Sequence, residues 1–174
     1  MYCLLSVLNE RPIISLQTGQ IIAWPFEPVL EIATLEILAL MCRGTHAKQP
    51  VLLISQDIRQ YATDCFIVDN EDELTNPHEI IRLDSNLKNH YSPIGKPVFE
   101  ESGRKLGTIE DYLINFETNR VQKLHVRKPL LQGLFGSNLI IDRVQITDIT
   151  PARITVRDLT VTNPLLSTES IPET

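Results

Sequence analysis

Residues 95–126 read GKPVFEESGRKLGTIEDYLINFETNRVQKLHV. Glycines at 103 and 107 punctuate apolar-rich runs of strand length. Gly103 follows Ser102 and precedes Arg104 and Lys105, a turn signal between PVFEE and LGTIEDYLI. VQKLHV sets Val121 and Leu124 among polar residues, and further on RITVRD (153–158) alternates with period two, as strands do. Isoleucine, valine and threonine are frequent, as strands favour.

The stretch has a counterpart 84 positions earlier. Gly19 meets Gly103, Ile22 meets Leu106 while Ile21 meets Lys105, and Glu27 meets Asp111. Val29 and Leu30 meet Leu113 and Ile114, Ile32 meets Phe116, and Thr34 meets Thr118. Ile37, Leu40 and Cys42 meet Val121, Leu124 and Val126, with no gap from Gly19 onward. Pro12 and Pro97 correspond after a one-residue slip. The ends also correspond: VLLISQDIRQYATDCFIVDN (51–70) resembles LIIDRVQITDITPARITVRD (139–158), each an apolar strand, a polar turn with an isoleucine (Ile58, Ile146) and a strand closing on Asp69 or Asp158. Two units predict tandem domains and not a solenoid array. The apolar content of ATLEILALMC (33–42) alone allows a helix, but its partner TNRVQKLHV is strand-like, so a strand is predicted. SQDIRQYA, from Ser55, has an N-cap-like serine and predicts a short helical turn.

The chain has 174 residues, 43% of them apolar, enough for a packed core. A unit of about 80 residues folds alone with a modest margin. The expected division is a first unit at 1–84, a polar linker at 85–93, a second unit at 94–163 and a flexible tail at 164–174. Net charge is −6, which predicts no global attraction to DNA, RNA or acidic lipid. It is unevenly spread: residues 1–84 carry five basic and twelve acidic side chains, net −7, and residues 85–174 are at +1. The opening MYCLLSVLNE lacks a basic region and a small-residue cleavage site, and no run approaches the ~18 apolar residues of a membrane span. With three cysteines at spacings of no metal motif, the expectation is a cytoplasmic protein whose Cys42 and Cys65 are small buried hydrophobes.

Taken together, the Ser/Thr-Gly turn, the Leu-Gly or Ile-Ala step, the acidic residue and the NRVQKLHV ending resemble the PRC-barrel family. That family is named for the H subunit of the photosynthetic reaction centre and also forms the C-terminal domain of a ribosome-maturation factor. The resemblance covers about residues 11–73 and 94–158, and is weaker in the first, where Ala23 stands in place of Gly107. It implies an all-β fold of two small tandem barrels, each with one short helical turn, related by a pseudo-twofold repeat. The family's members bind partners and share no active site, so no catalytic residue is carried over.

The residues agree in showing no catalytic constellation. His46, His78, His90 and His125 form no ligand pair, and there is no nucleophile elbow, phosphate loop or dinucleotide fingerprint. DNEDE (69–73) lacks the glycine and terminal glutamate of a calcium loop and reads as a solvated acidic turn. The expectation is a non-enzyme without metal or cofactor. Two features carry binding hypotheses. Lys123, His125 and Arg127 share one strand face, with Lys128 beside them, where the first unit has Ala39, Met41 and Arg43. This is either a solvated face or a contact to an anion or RNA phosphate. Leu130, Leu131, Leu134 and Phe135 lie in PLLQGLFGS (129–137), where the first unit has the polar GTHAKQ (44–49). The loop either completes the core or exposes an apolar patch for a protein partner or a second copy. The leading expectation is an adaptor binding through the second unit; the alternatives are an RNA- or ribosome-associated factor and a peripheral partner of a membrane complex.

Overall fold

The computed structural model describes residues 1–77, 91–128 and 138–158. The fold is all-β. In chain order the strands are β1 (Tyr2–Leu4), β2 (Ile13–Ser15), β3 (Ile21–Glu31), β4 (Glu36–Gly44), β5 (Val51–Ile54), β6 (Gln60–Tyr61), β7 (Phe66–Val68) and β8 (Leu74–Thr75). They continue as β9 (Pro97–Glu100), β10 (Lys105–Asn115), β11 (Arg120–Arg127), β12 (Leu139–Asp142), β13 (Ile146–Ile149) and β14 (Ile154–Val156). One curled sheet runs β13-β14-β9-β10-β11-β4-β3-β2-β7-β6, with β1 on β10, β12 on β11, β5 on β4 and β8 on β5. Residues 36–44 are thus a strand, as the repeat required. Single-turn 3-10 helices occur at Ser55–Asp57 and Arg143–Gln145, as expected; a longer one spans Leu5–Glu10, and a further single turn is at Glu71–Glu73. The last is the acidic turn, whose Asn70 side chain accepts the Asp72 N–H at 2.7 Å.

The pairing registers recur at the spacing read in the sequence. Trp24 faces Arg43 and Thr108 faces Arg127; Leu30 faces Ile37 and Ile114 faces Val121. Even the bulges recur, at Pro25/Glu27 and Val29/Leu30 in one hairpin and at Ile109/Asp111 and Leu113/Ile114 in the other. A bulge inserts a residue on one strand only and sharpens the local twist, so the two long hairpins bend alike. The one-residue slip is also present: Ile13 faces Ala23 and Phe66, while Val98 faces Gly107 and Ile154. In both places the short strand opening the unit pairs in parallel with the strand closing it.

Alternation sets which residues are inside. Ile22 and Leu106 are buried, while Ile21 and Lys105 are exposed. Gly107 (φ +158) is required by close approach, since a Cβ there would stand 2.2 Å from the Arg127 carbonyl oxygen. Its counterpart Ala23 is fully buried and faces Gly44 across the hairpin, so the smallest residue has moved to the neighbouring strand.

One core runs through both sets of strands, from Ile13, Leu40 and Phe66 to Tyr112, Phe116, Leu124 and Val156. Burying each such side chain contributes about 1.5–3 kcal/mol. At the junction Tyr61 stacks on Phe116 at 5.3 Å, and Phe66 meets Phe116 edge-on at 4.9 Å. The Tyr61 hydroxyl donates to Asn119 Oδ1 at 3.0 Å. The junction is closed reciprocally: the Ile37 N–H donates to the Asn119 carbonyl (2.7 Å) and the Val121 N–H to the Leu35 carbonyl (3.1 Å). Both acceptors have positive φ, 54° at Leu35 and 49° at Asn119. Between them Glu36 faces Arg120, its counterpart at the 84-residue spacing, and the two side chains pair at 3.1 Å. Residues 2–4, sequentially part of the first unit, pair with β10, and the N-terminal ammonium bonds Glu117 at 2.7 Å.

Cys42 is fully buried, and burial pushes its thiol up to about 12. Cys65 departs from the expectation of burial, standing half-exposed in the turn before β7. Most of the linker at 85–93 and the tail at 164–174 lie outside the described residues.

Candidate functional site

The central difference between the two sets of strands lies on the outer face of each long hairpin. In the first, Val29, Ala39 and Leu52 form a small buried cluster with Leu38 and Met41 against it. β8 lies along the far edge of β5, placing Thr75 beside Leu52 and Leu74 beside Leu53. The Thr75 hydroxyl donates to the Leu52 carbonyl at 3.3 Å. The edge is therefore paired and the apolar face covered.

In the second set the same places hold Leu113, Lys123 and Ile140, with His125 in the place of Met41. Lys123 faces Leu113 on one side and Asp142 on the other; His125 faces Asp111 and Ile140. Ile140 is 56% exposed and Val144, on the following turn, 73%. Among the described residues β12 pairs with β11 alone, and no described strand lies along its far edge. β12 is held by its continuation: the Asp142 side chain accepts the Val144 N–H (3.2 Å), and the Gln145 side chain accepts the Asp142 N–H (2.9 Å), a capping box that ends the strand sharply.

The structure thus puts Lys123, His125 and Arg127 on one face of β11, with Lys128 just beyond its end. It also shows what the sequence reading missed, that acidic groups interleave with them. Asp111 lies opposite His125 and accepts the Ser6 hydroxyl at 2.6 Å, and Asp142 lies opposite Lys123. Cross-strand partners become visible only once register is known. Leu130, Leu131, Leu134 and Phe135 lie outside the described residues, in the sequence between β11 and β12.

A second feature is an open cavity of about 610 Å³ at the junction, lined by residues that include Arg120, Gln122, Arg143, Ile146 and Ile149. Sequence reasoning singled out none of these as site residues. The available signal was the alignment of 51–70 with 139–158, which sets Arg143 on Ser55 and Ile149 on Tyr61.

Among the described residues no three His, Cys, Asp or Glu side chains come together to hold a metal ion, and no helix is long and apolar enough to cross a membrane. No curated protein matches the chain. The PRC-barrel, a family of non-catalytic domains, does find a match: its family model, described as PRC-barrel domain, matches residues 86–162, the stretch that holds β9 to β14.

Proposed function

We propose that the protein is a non-catalytic adaptor of two PRC-type barrels in tandem, engaging a protein partner, or a second copy of itself, through the second barrel. The recurrence of register and bulges between β2–β7 and β9–β14 supports the tandem reading. The match to a family of non-catalytic domains supports the binding role. The observation that carries the choice of surface is the edge of β12, bare among the described residues beside the exposed Ile140, where the equivalent edge of β5 is paired and its leucine fully buried. An open strand edge is a template for an added strand, with main-chain bonds giving affinity and neighbouring apolar side chains specificity. In sequence, Leu130, Leu131, Leu134 and Phe135 lie between β11 and β12 and are proposed as part of the same apolar surface.

Affinity capture from native cells, paired with sedimentation of the purified chain, tests the assignment. Ile140→Lys and the double change Leu134→Asp with Phe135→Ser should each abolish a specific co-purifying protein, or the dimer, while the melting temperature stays within about 2 °C, as for surface changes. A large loss of stability would make these residues core and remove the surface. Filter binding to ribosomal RNA at low salt, where phosphate contacts are strongest, is the competing outcome. Retention that is lost in Lys123→Gln with Arg127→Gln would move the function to RNA.

A further inference from the structure

The junction is nearly symmetric in its backbone and unsymmetric in what fills it. On one side Tyr61 lays its ring on Phe116 and sends its hydroxyl to Asn119. Beside it Ser55, almost fully buried, donates to the Ile37 carbonyl at 2.8 Å. On the other side Ile149 stands in the place of Tyr61 and Arg143 in the place of Ser55. Isoleucine is shorter than tyrosine and carries no hydroxyl to reach across, and the open cavity of about 610 Å³ occupies this side. That is the size of a small-ligand site.

The cavity is chemically unbalanced in one respect. Arg143 is half-buried and makes no hydrogen bond or ion pair among the described residues, although a guanidinium has five N–H donors. A second guanidinium, Arg120, lines the same cavity and pairs with Glu36 at 3.1 Å. Burial first, and then the nearby positive charge of Arg120, push Arg143 below the ordinary guanidinium range. Two forks facing one space, one of them unpaired, suit a planar anion. Glu36 already answers Arg120 and Asp148 also lines the cavity, so the four charges balance and only the Arg143 fork is left to hold a single anionic group. Ile146, Ile149 and the exposed Val144 offer an apolar wall next to it.

We propose that this cavity binds a single carboxylate carried next to an apolar group, with Arg143 as the principal fork and Arg120 as the second. The chemistry is shared by a free branched carboxylic acid and by an acidic side chain beside a leucine in a peptide. The inference rests on the cavity and not on the β12 edge, so either can fail without the other.

Titrations followed by ¹H–¹⁵N spectra of the full chain, including the arginine Nε–H signals, test it. The probes are 4-methylpentanoate, acetyl-Glu-Leu-amide, acetyl-Gln-Leu-amide and inorganic phosphate. Saturable shifts at Arg143 and Ile149 are expected with the free acid, the Glu peptide or both. Response to the acid alone identifies a small molecule, and to the peptide alone a segment of a protein; either supports the site. Arg143→Gln should weaken binding about tenfold or more, the scale of a lost charge-assisted pair. Ile149→Tyr, which restores the first side's ring, should block binding while the remaining spectrum keeps its dispersion. Equal binding of the Gln peptide, tighter binding of phosphate, unchanged binding in Arg143→Gln, or no saturable shift with any probe would overturn the proposal.

Discussion

The hairpins β3–β4 and β10–β11 share register and bulges, yet among the described residues the strand beyond the first, β5, has a further partner and the strand beyond the second, β12, has none. The first buries Val29, Ala39 and Leu52 beneath its own chain and pairs the edge of β5 with β8. The second places Leu113, Lys123 and Ile140 at the same points and leaves Ile140 more than half exposed. Identical backbone pairing therefore does not dictate surface chemistry. The residues pointing inward set the fold, and those pointing outward are free to diverge. Buried positions agree in type across the 84-residue spacing (Ile22 with Leu106, Leu30 with Ile114, Leu40 with Leu124), while some others change class, Ala39 to Lys123 and Met41 to His125.

The comparison can be broken most strongly at the junction. Phe116 is fully buried against Tyr61 and Phe66, so Phe116→Ala should cost about 3–5 kcal/mol. Its counterpart Ile32 is only partly buried, and Ile32→Ala should cost clearly less. Urea denaturation of both variants measures the asymmetry; equal losses would mean the aromatic cluster is not what fastens the two sides. Next is Gly107→Ala, which places a Cβ against backbone that cannot turn aside and should cost about 2–3 kcal/mol. The reverse change at the matching site, Ala23→Gly, should cost only about 0.5–1 kcal/mol, the backbone entropy of glycine. Thermal melts of the pair would show whether the small-residue requirement belongs to one hairpin alone.

A smaller effect is expected from Tyr61→Phe, which keeps the stacked ring and removes the hydroxyl. The lost bond to Asn119 predicts about 0.5–1.5 kcal/mol, read from the shift of the urea midpoint at constant slope. Smallest is Glu36→Gln. The pair with Arg120 is exposed on both sides, so its removal should change stability by less than about 1 kcal/mol, and less still in high salt.

Much of this was legible because strands announce themselves locally. The Gly103 turn and the run from Lys105 to Val126 gave β10 and β11 directly, and the ungapped spacing gave β3 and β4. Short strands with no periodicity of their own were not legible. β1 is three residues long and finds its partner over a hundred positions away, and β8 is two residues that matter only because β5 lies beside them. The residues proposed for binding were the least legible. Lys123 and His125 were visible as a stripe, but Asp111 and Asp142, which temper it, come from neighbouring strands. Arg143 was not singled out, because nothing in a sequence shows that a guanidinium lacks a partner.

Glu36 and Arg120 stand opposite each other on the local twofold that relates the two sides of the junction. A true dyad can only oppose a residue to itself. If two copies of the first side met through this face, glutamate would confront glutamate; two copies of the second would set arginine against arginine. Only the mixed pairing is attractive, and tethering both sides in one chain makes it the pairing nearest at hand. A pair contributing little to the folding equilibrium thereby acts as a lock with a handed key, favouring a first side against a second over the meeting of two like sides.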